Sequence, residues 1–511
     1  MIAIADIESW LTNTSKGLVR SARPGQLTMA KLCAQLMNDG GIGFIEAGTG
    51  TGKSIAYSLP AMLHDRRVVI STGKKTLQEQ LVNKDLPAIR AALGQRPFSL
   101  MKGVQNYFCQ LRMDEFMDTE VYQQIPEGER RKFLTVIETS PTGDIGGYQA
   151  GWTHATRVTD CVRALCPHID TCKYVAGRNN ALLTPVVVVN HSLLAQDLAL
   201  GGGKIFGEYD VLVIDEGHNA PKAFRDAFAC TLHPRHPEYF DRWFQGTDFS
   251  FDGQLKEAYG QVFRHTQARS GVLEVPPAME KGLGTILALV TSSLEKLNTT
   301  GMSGEDTLGE DRSYLARQRA KYAGATRLLA KIKKVCEVVL DVPREGFDTG
   351  PYCASFTADK KEDPQITVTP IEIGPLVAPA LLKARTLIVT SATLTTGGNF
   401  SYVADEFGFA SSQLTVQQIV PSPFQYAQQS VLYVSSTAPD PTKERGATYY
   451  EQMADEVHEL LNASGGGALV LCASREDMEK LYNRLWEAYG GNMSYKLGMQ
   501  GKDDQIGRAS C

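Results

Sequence analysis

Little in this chain marks it for a membrane, for export or for a global hold on a polyanion. Its 511 residues carry a formal net charge of −5. No overall basic field therefore advertises a nucleic-acid partner, and any polyanion site has to be a local groove. The opening MIAIADIESWLTNTSKGL sets Asp6 and Glu8 among its first apolar residues and has no basic leader before a long apolar core. It reads as lacking a signal peptide, and a cytoplasmic location is expected. The longest apolar runs, such as TPVVVVNH, are far too short to span a bilayer, so no membrane partner is expected. Cysteine is sparse at ten residues. In a reducing compartment such thiols serve as core residues or metal ligands rather than disulfides. No internal repeat or extended low-complexity stretch is visible, and the glycine triplets Gly201–Gly203 and Gly465–Gly467 read as turns.

What is present is an ordinary globular composition, 43% apolar and 21% charged, long enough for two to four domains. Several short β-rich runs end in polar or glycine-bearing loops: IGFIEAG, RRVVISTG, PVVVVNH, YDVLVIDEGH, RTLIVTSAT and GALVLCAS. Continuous Val/Ile/Leu runs are the mark of buried parallel strands, with function hung at their C-terminal ends. Helical segments such as TLQEQLVNKDLPAIRAAL lie between some of them. The pattern predicts a doubly wound α/β architecture. Two stretches break the rhythm. From about Lys102 to Thr184 the chain is polar and loop-rich. From about Arg225 to Pro370 it reads as largely helical, with Leu315, Tyr322, Leu329 and Cys336 at seven-residue intervals and Ala325, Ile332 and Val339 in a second series. That stripe is read as a helix packing on its neighbours within one domain.

FIEAGTGTGKS carries the chemistry. It leaves a strand at Glu46 and enters a helix near Lys53, with Ala47 where the strict phosphate-loop pattern has glycine. Gly48, Gly50 and Gly52, with Thr49 and Thr51 between them, let backbone N–H groups fold around phosphate oxygens at a helix N-terminus. Lys53 is expected to reach the β- and γ-phosphates of ATP, and the Ser54 hydroxyl to bind Mg2+. Downstream, VLVIDEGH delivers Asp215 and Glu216 to a strand end. Asp215 is expected to hold Mg2+, mostly through water, and Glu216 to orient and deprotonate the attacking water.

Taken together these residues resemble the superfamily 2 iron–sulfur DNA helicases, the DinG and XPD-like group, and more closely its bacterial DinG/YoaA branch. RPGQLTM is similar to the group's Q motif, STGKKTLQEQL to motif Ia, DEGH to motif II and TSATL to motif III; VVVVNHSLL and SPFQY match further stretches of the branch. The resemblance implies a P-loop NTPase (RecA-like) motor domain with an Fe–S insertion, a helical arch insertion and a partial second RecA-like domain. It divides the chain into motor domain 1 over 1–101, 185–224 and 371–415, an Fe–S insertion over 102–184, an arch over 225–370 and an incomplete motor domain 2 over 416–511. It gives Gln26, with Arg23 beside it, to adenine recognition, and Lys53, Ser54, Asp215 and Glu216 to ATP hydrolysis. His218, Ser391 and Thr393 would couple nucleotide state to DNA grip. Thr76 and Gln78 would lie near the DNA backbone, although ordinary polar residues at a helix start compete with that reading.

Four cysteines stand out: Cys109 in MKGVQNYFC, and Cys161, Cys166 and Cys172 in DCVRALCPHIDTC. Four thiolates from one loop-rich insertion suit a metal centre that ties a segment with little core of its own. The resemblance implies a 4Fe–4S cluster. Structural zinc is the rival, with His168 as a further ligand, but zinc sites usually show two tight cysteine pairs; unliganded thiols are the remaining reading. Cys33, Cys230, Cys336, Cys353 and Cys472 are read as buried unliganded thiols, and Cys511 is given no role. Tyr107, Phe108 and Tyr174 are candidates to stack on bases, with packing inside the small domain as the favoured alternative. Lys102, Arg163 and Lys173 are candidate phosphate contacts.

The expected activity is ATP-dependent DNA unwinding, with 5′-to-3′ polarity taken wholly from the resemblance. Single-stranded and forked DNA are the expected partners, with single-strand-binding or replication proteins beside them, in repair or replication, and the chain is expected to act as a monomer. The sequence ends at LGMQGKDDQIGRASC, before the family's later motifs, so weak or absent unwinding is expected of it. QIGR at Gln505–Arg508 is read as a coincidence and not as an arginine finger. The alternative is a non-motor module that binds nucleotide and uses its cysteines as a dock for DNA or protein. A fused nuclease is disfavoured, since only about forty residues precede the phosphate loop.

Overall fold

The computed structural model describes residues 2–12, 23–73, 75–94, 96–148, 150–159, 161, 166–244, 251, 253–265, 267–269, 272–299, 312–341, 351–357, 363–440, 446–491, 493–500 and 502. Arg163, Gln505–Arg508 and Cys511 lie outside the described residues, as does the side chain of Leu315. Two compact units divide the chain, residues 1–424 and 425–511.

The first unit is organised by seven strands: β1 (Gly41–Ala47), β2 (Val68–Thr72), β3 (Phe98–Leu100), β4 (Val186–Asn190), β5 (Val211–Asp215), β11 (Thr386–Ser391) and β12 (Val416–Val420). Between β5 and β11 in the chain lie β6 (Cys230–Leu232), β7 (Gln267–Arg269), β8 (Val272–Glu274), β9 (Tyr352–Thr357) and β10 (Gln365–Pro370). The seven pair in the order β12-β1-β11-β5-β2-β4-β3, every pair parallel. Alternate residues feed opposite faces, as a pleated strand requires. Phe44, Val187, Val189, Leu212 and Ile214 join one apolar core, while Ile45, Val186, Val188, Val211 and Val213 join a second core on the other face. Burial on both faces explains why these runs are continuously apolar. This is the α/β architecture expected from the sequence.

The boundary drawn at 415/416 moves. β12 pairs with β1, and the first unit extends through Phe424. The edge strand needs β1 to complete its ladder, so SPFQY straddles the junction instead of opening the second unit. The region 225–370 also differs from the largely helical expectation. Its helices His236–Phe244, Gln254–His265, Pro277–Thr299 and Arg312–Asp341 accompany a five-stranded antiparallel sheet, β6-β10-β9-β8-β7. Three of these strands are only three residues long, too short to show a period. The helical stripe does face the core: Ala325, Leu329, Ile332 and Cys336 are fully buried there, with Tyr322 packed alongside.

The insertion 102–184 has more core than its composition suggests. Phe133 is fully buried, with ring centroids 4.8 Å from Trp152 and 5.3 Å from Tyr148. Aromatics give a small domain much buried area from few residues. Not every lone thiol is buried: Cys33 and Cys336 are, Cys230 and Cys472 are half-buried, and Cys353 is exposed, on a strand none of whose residues is fully buried.

In the second unit the helices Ala447–Ala463 and Arg475–Tyr489 pack through Ala454, Leu481 and Leu485. The strand expected in GALVLCAS does not form: the segment has no regular secondary structure and pairs with no strand among the described residues, and Leu469 and Leu471 are 82% and 91% exposed. An apolar run becomes a sheet strand only where a neighbour completes its ladder. Among the described residues no helix is long and apolar enough to cross a membrane.

Candidate functional site

β1 carries the chain to Ala47, and the turn that follows needs glycine: Gly50 and Gly52 hold φ of 79° and 85°. Gly52 sits at the start of the helix Lys53–Leu63. A side chain there would collide with the amide of Gln26, and one at Gly50 with the Phe424 ring. Gln26 Nε2 donates to Gly52 O (3.2 Å), Lys53 Nζ to Ala47 O (3.1 Å), and Thr51 Oγ1 to Gly48 O (2.5 Å). Ser422 Oγ donates to Thr49 O (2.8 Å), so Ser422 and Phe424 line the loop from β12. Sequence reading had placed neither there. Ser54 occupies the second position of the helix, half-buried.

Sheet order brings the acidic pair to the same edge. β11 lies between β1 and β5, with Glu46 opposite Ser391 and Thr390 opposite Asp215. Ligands of parallel sheets bind at this C-terminal edge. The fully buried Tyr57 donates its hydroxyl to Asp215 Oδ2 (2.9 Å), and Glu216 N donates to Asp215 Oδ1 (3.0 Å). Burial first, then the Glu216 charge, pushes the Asp215 carboxyl up to about 6; Tyr57 and Lys53 restrain the rise. Such a carboxylate would be relieved by a divalent cation.

Glu216 adopts φ 54°, the one left-handed non-glycine among the described residues. That conformation costs about 1–3 kcal/mol and persists only where neighbours enforce it. One enforcer is His191, which sequence reading had not singled out as a site residue. Burial pushes its imidazole down to about 4, so it is neutral. Its Nε2 faces Glu216 O (3.4 Å) and its Nδ1 faces Ser71 Oγ (2.7 Å). With the proton on Nε2, Nδ1 accepts the Ser71 hydroxyl and both bonds are satisfied.

The three residues assigned to coupling meet here, though unequally. His218 Nδ1 contacts Ser391 Oγ (2.6 Å), and that hydroxyl donates to Glu216 Oε2 (3.1 Å). Thr393 takes part through its backbone N, 3.4 Å from Ser391 Oγ. Glu46 is a further residue that sequence reading misses. Its Oε2 accepts from Leu394 N (2.7 Å), Thr395 N (2.7 Å) and Thr395 Oγ1 (2.9 Å). Burial raises its carboxyl, but these bonds outweigh that and hold it below the usual range. An acid immediately before a phosphate loop was the available signal.

Elsewhere the candidates fare differently. Thr76 is exposed, whereas Gln78 is 2% exposed, so Gln78 is not placed to touch a DNA backbone. Lys102 pairs with Asp144 (2.6 Å). Lys173 Nζ donates to Ile137 O, Glu138 O and Ser140 O at 2.8, 2.8 and 2.9 Å, capping the end of the helix Glu127–Thr139. Both lysines are therefore occupied within the segment 102–184 and are not free phosphate contacts. Tyr107 and Tyr174 are buried against each other, ring centroids 4.9 Å apart, and Phe108 meets Phe133 edge-on; packing is the reading that fits.

Of the four proposed ligands, Cys109 and Cys166 feel their cysteine neighbours. Burial pushes the Cys109 thiol up to about 11, with Cys166 and Cys172 adding to the rise. Cys166 is raised by burial and then by Cys172 and Cys161, against a lowering backbone hydrogen bond. Among the described residues, however, no three His, Cys, Asp or Glu side chains form a ready-made metal-holding group. His168 Nε2 is engaged by Asp114 Oδ2 (2.7 Å).

Comparison with known proteins follows the same line. No family model matches the chain. It is 30% identical over 485 residues to the ATP-dependent helicase DinG of Mycobacterium tuberculosis, spanning 88% of this chain and 71% of that protein. It is 27% identical over 486 residues to the ATP-dependent DNA helicase YoaA of Haemophilus influenzae, spanning 90% and 72%. A solved XPD helicase overlays on 91% of this chain and 75% of its own at a TM-score of 0.47 and 13% identity, too loose a likeness to carry an argument.

Proposed function

The chain belongs to the DinG family of ATP-dependent helicases, and from that premise we propose that it hydrolyses ATP to drive translocation on single-stranded DNA, with 5′-to-3′ polarity. Forked DNA in repair or replication is the proposed substrate, and the cytoplasm the proposed location. The observation that supports this best is the meeting of the Gly48–Ser54 loop, Asp215 and Glu216 at one sheet edge, joined through Ser391 to His218.

In this reading the loop amides and Lys53 hold the phosphates, and Gln26, already bonded to Gly52, borders the adenine. Ser54 and Asp215 would hold magnesium, which when bound neutralises phosphate charge. Glu216 orients the attacking water and takes its proton, its carboxylate steadied by the Ser391 hydroxyl. Ser391 and His218 sense whether that carboxylate is engaged.

A 4Fe–4S cluster on Cys109, Cys161, Cys166 and Cys172 belongs to the same proposal. Burial first and then neighbouring cysteines raise the Cys109 and Cys166 thiols, and a bound cation that takes the set as thiolates relieves that cost. Once bound, the cluster supplies a cross-link across the insertion. A second reading, nucleotide binding without unwinding, draws support from the exposed Leu469–Leu471 segment, which joins no sheet among the described residues.

Single-stranded-DNA-stimulated ATP hydrolysis tests the proposal, with Lys53→Ala as control. Stimulated turnover that vanishes in Lys53→Ala is expected. DNA binding with no ATP hydrolysis refutes the motor and leaves the binding module.

A further inference from the structure

We propose that Glu46 is a positioning residue that latches the phosphate loop to the segment following β11, so that nucleotide state reaches the Ser391–His218 cluster through this carboxylate. The inference rests on the motor reading above and deepens it.

Glu46 stands one residue before the phosphate loop and directly across the ladder from Ser391. Its side chain turns to the segment that follows β11. A single oxygen, Oε2, gathers the amides of Leu394 and Thr395 and the Thr395 hydroxyl, at 2.7, 2.7 and 2.9 Å. Bonds from donors to a carboxylate are about twice as strong as neutral ones. The loop so held is short. It starts at Ser391, whose hydroxyl reaches Glu216 and His218, and ends where Leu394 is 5% exposed in the core and Thr395 meets Glu46. On the other side, the residue after Glu46 is Ala47, whose carbonyl takes the Lys53 ammonium. A continuous polar path therefore runs from Lys53 through the end of β1 and Glu46 to the loop that bears Ser391. Any shift of Ala47 when Lys53 turns to a phosphate moves the anchor of that loop.

A mere loop cap would use the same bonds for stability alone, so the test must read coupling. The measurement is the ratio of single-stranded-DNA Kd without and with a non-hydrolysable ATP analogue and magnesium, from fluorescence anisotropy of a labelled oligonucleotide. Coupled sites typically show ratios of about 5- to 150-fold. Glu46→Ala should bring the ratio close to one while the analogue's own Kd changes by less than about threefold, on the scale where tenfold is a large effect. Glu46→Gln can set its amide oxygen where Oε2 sits and accept the same three bonds, so it should restore the ratio. Thr395→Val removes one of the three and should give an intermediate value, which carries the test if Glu46→Ala does not fold.

An unchanged ratio in Glu46→Ala or Thr395→Val, with altered melting only, overturns the latch. So does a wild-type ratio of one. Analogue binding lost in Glu46→Ala and not recovered in Glu46→Gln also overturns it, by assigning Glu46 to the phosphate loop itself. A wild type that binds no analogue strikes the motor reading instead, before the latch is reached.

Discussion

His191 offers a direct measure of how much the left-handed turn at Glu216 contributes to turnover. The perturbation is His191→Ala. It removes the Nε2 contact to Glu216 O and leaves the fully buried Ser71 hydroxyl without its partner. The contact is long at 3.4 Å, worth about 0.5–1.5 kcal/mol, and the orphaned hydroxyl costs about 1–3 kcal/mol. The strain that His191 opposes is about 1–3 kcal/mol. Together these place the loss of Glu216 positioning at about 1–3 kcal/mol, or roughly 5- to 150-fold in turnover. DNA-stimulated ATP hydrolysis should fall by that factor. The ATP Kd should change by less than about threefold, because the loop amides and Lys53 are untouched. His191→Gln, which can both donate and accept, should recover part of the rate. Equal losses in kcat and ATP affinity, or none in either, refute the reasoning. The same residue makes a pH prediction. Its folded pKa, about 4, lies below the ordinary 6.5, so the unfolded chain binds the extra proton first. Stability is therefore lost as pH falls from about 6.5 toward 4, by up to about 3 kcal/mol. His191→Gln should lack that acid-side loss in pH-dependent melting.

Three further outcomes follow from the same geometry. Asp215→Asn should stabilise the nucleotide-free protein above about pH 6 by up to about 3 kcal/mol while abolishing ATP hydrolysis: the folded pKa is raised from 3.8 to about 6, so the wild-type penalty grows as pH rises through that window and is absent below it. Melting curves at pH 5 and pH 8 check this, and a gain independent of pH contradicts it. Lys173→Met should destabilise the 102–184 domain by about 1–3 kcal/mol by freeing three carbonyls at a helix end, with single-stranded-DNA affinity unchanged; a large loss of DNA affinity at unchanged stability would return Lys173 to the phosphate contacts. Cys109→Ser should empty the proposed cluster, read as loss of iron and of visible iron–sulfide absorption in anaerobically purified protein; a colourless, zinc-loaded wild type rejects iron.

The motor core was legible because its signals are local. A strand, a glycine-rich turn and a helix follow one another within FIEAGTGTGKS, and the acidic pair ends an unmistakable apolar run in VLVIDEGH. Continuous apolar strands also announced a sheet buried on both faces. What misled was context. Lys102 and Lys173 look like free cations in one dimension, but Asp144 and a helix end 33 to 36 residues away in sequence occupy them. The segment GALVLCAS has the composition of a strand but no ladder partner among the described residues. Three strands of the sheet in 225–370 are three residues long and have no period to read, while β9 and β10, six residues each, pair only with strands distant in the chain or with each other.

From the sequence alone came the identity of the chemistry: which residues can cradle a phosphate, which carboxylates can hold a metal and a water, and which thiols stand close in the chain. These depend on residue type and on spacings of a few positions, where covalent geometry already limits the outcome. The tertiary structure decided which of them act together. Ser391 reaches Glu216 across 175 positions, Glu46 reaches Thr395 across 349, and His191 reaches the strained carbonyl across 25. Such meetings are set by strand order and register, which arise from the packing of two apolar cores at once, and no short stretch of chain contains that information.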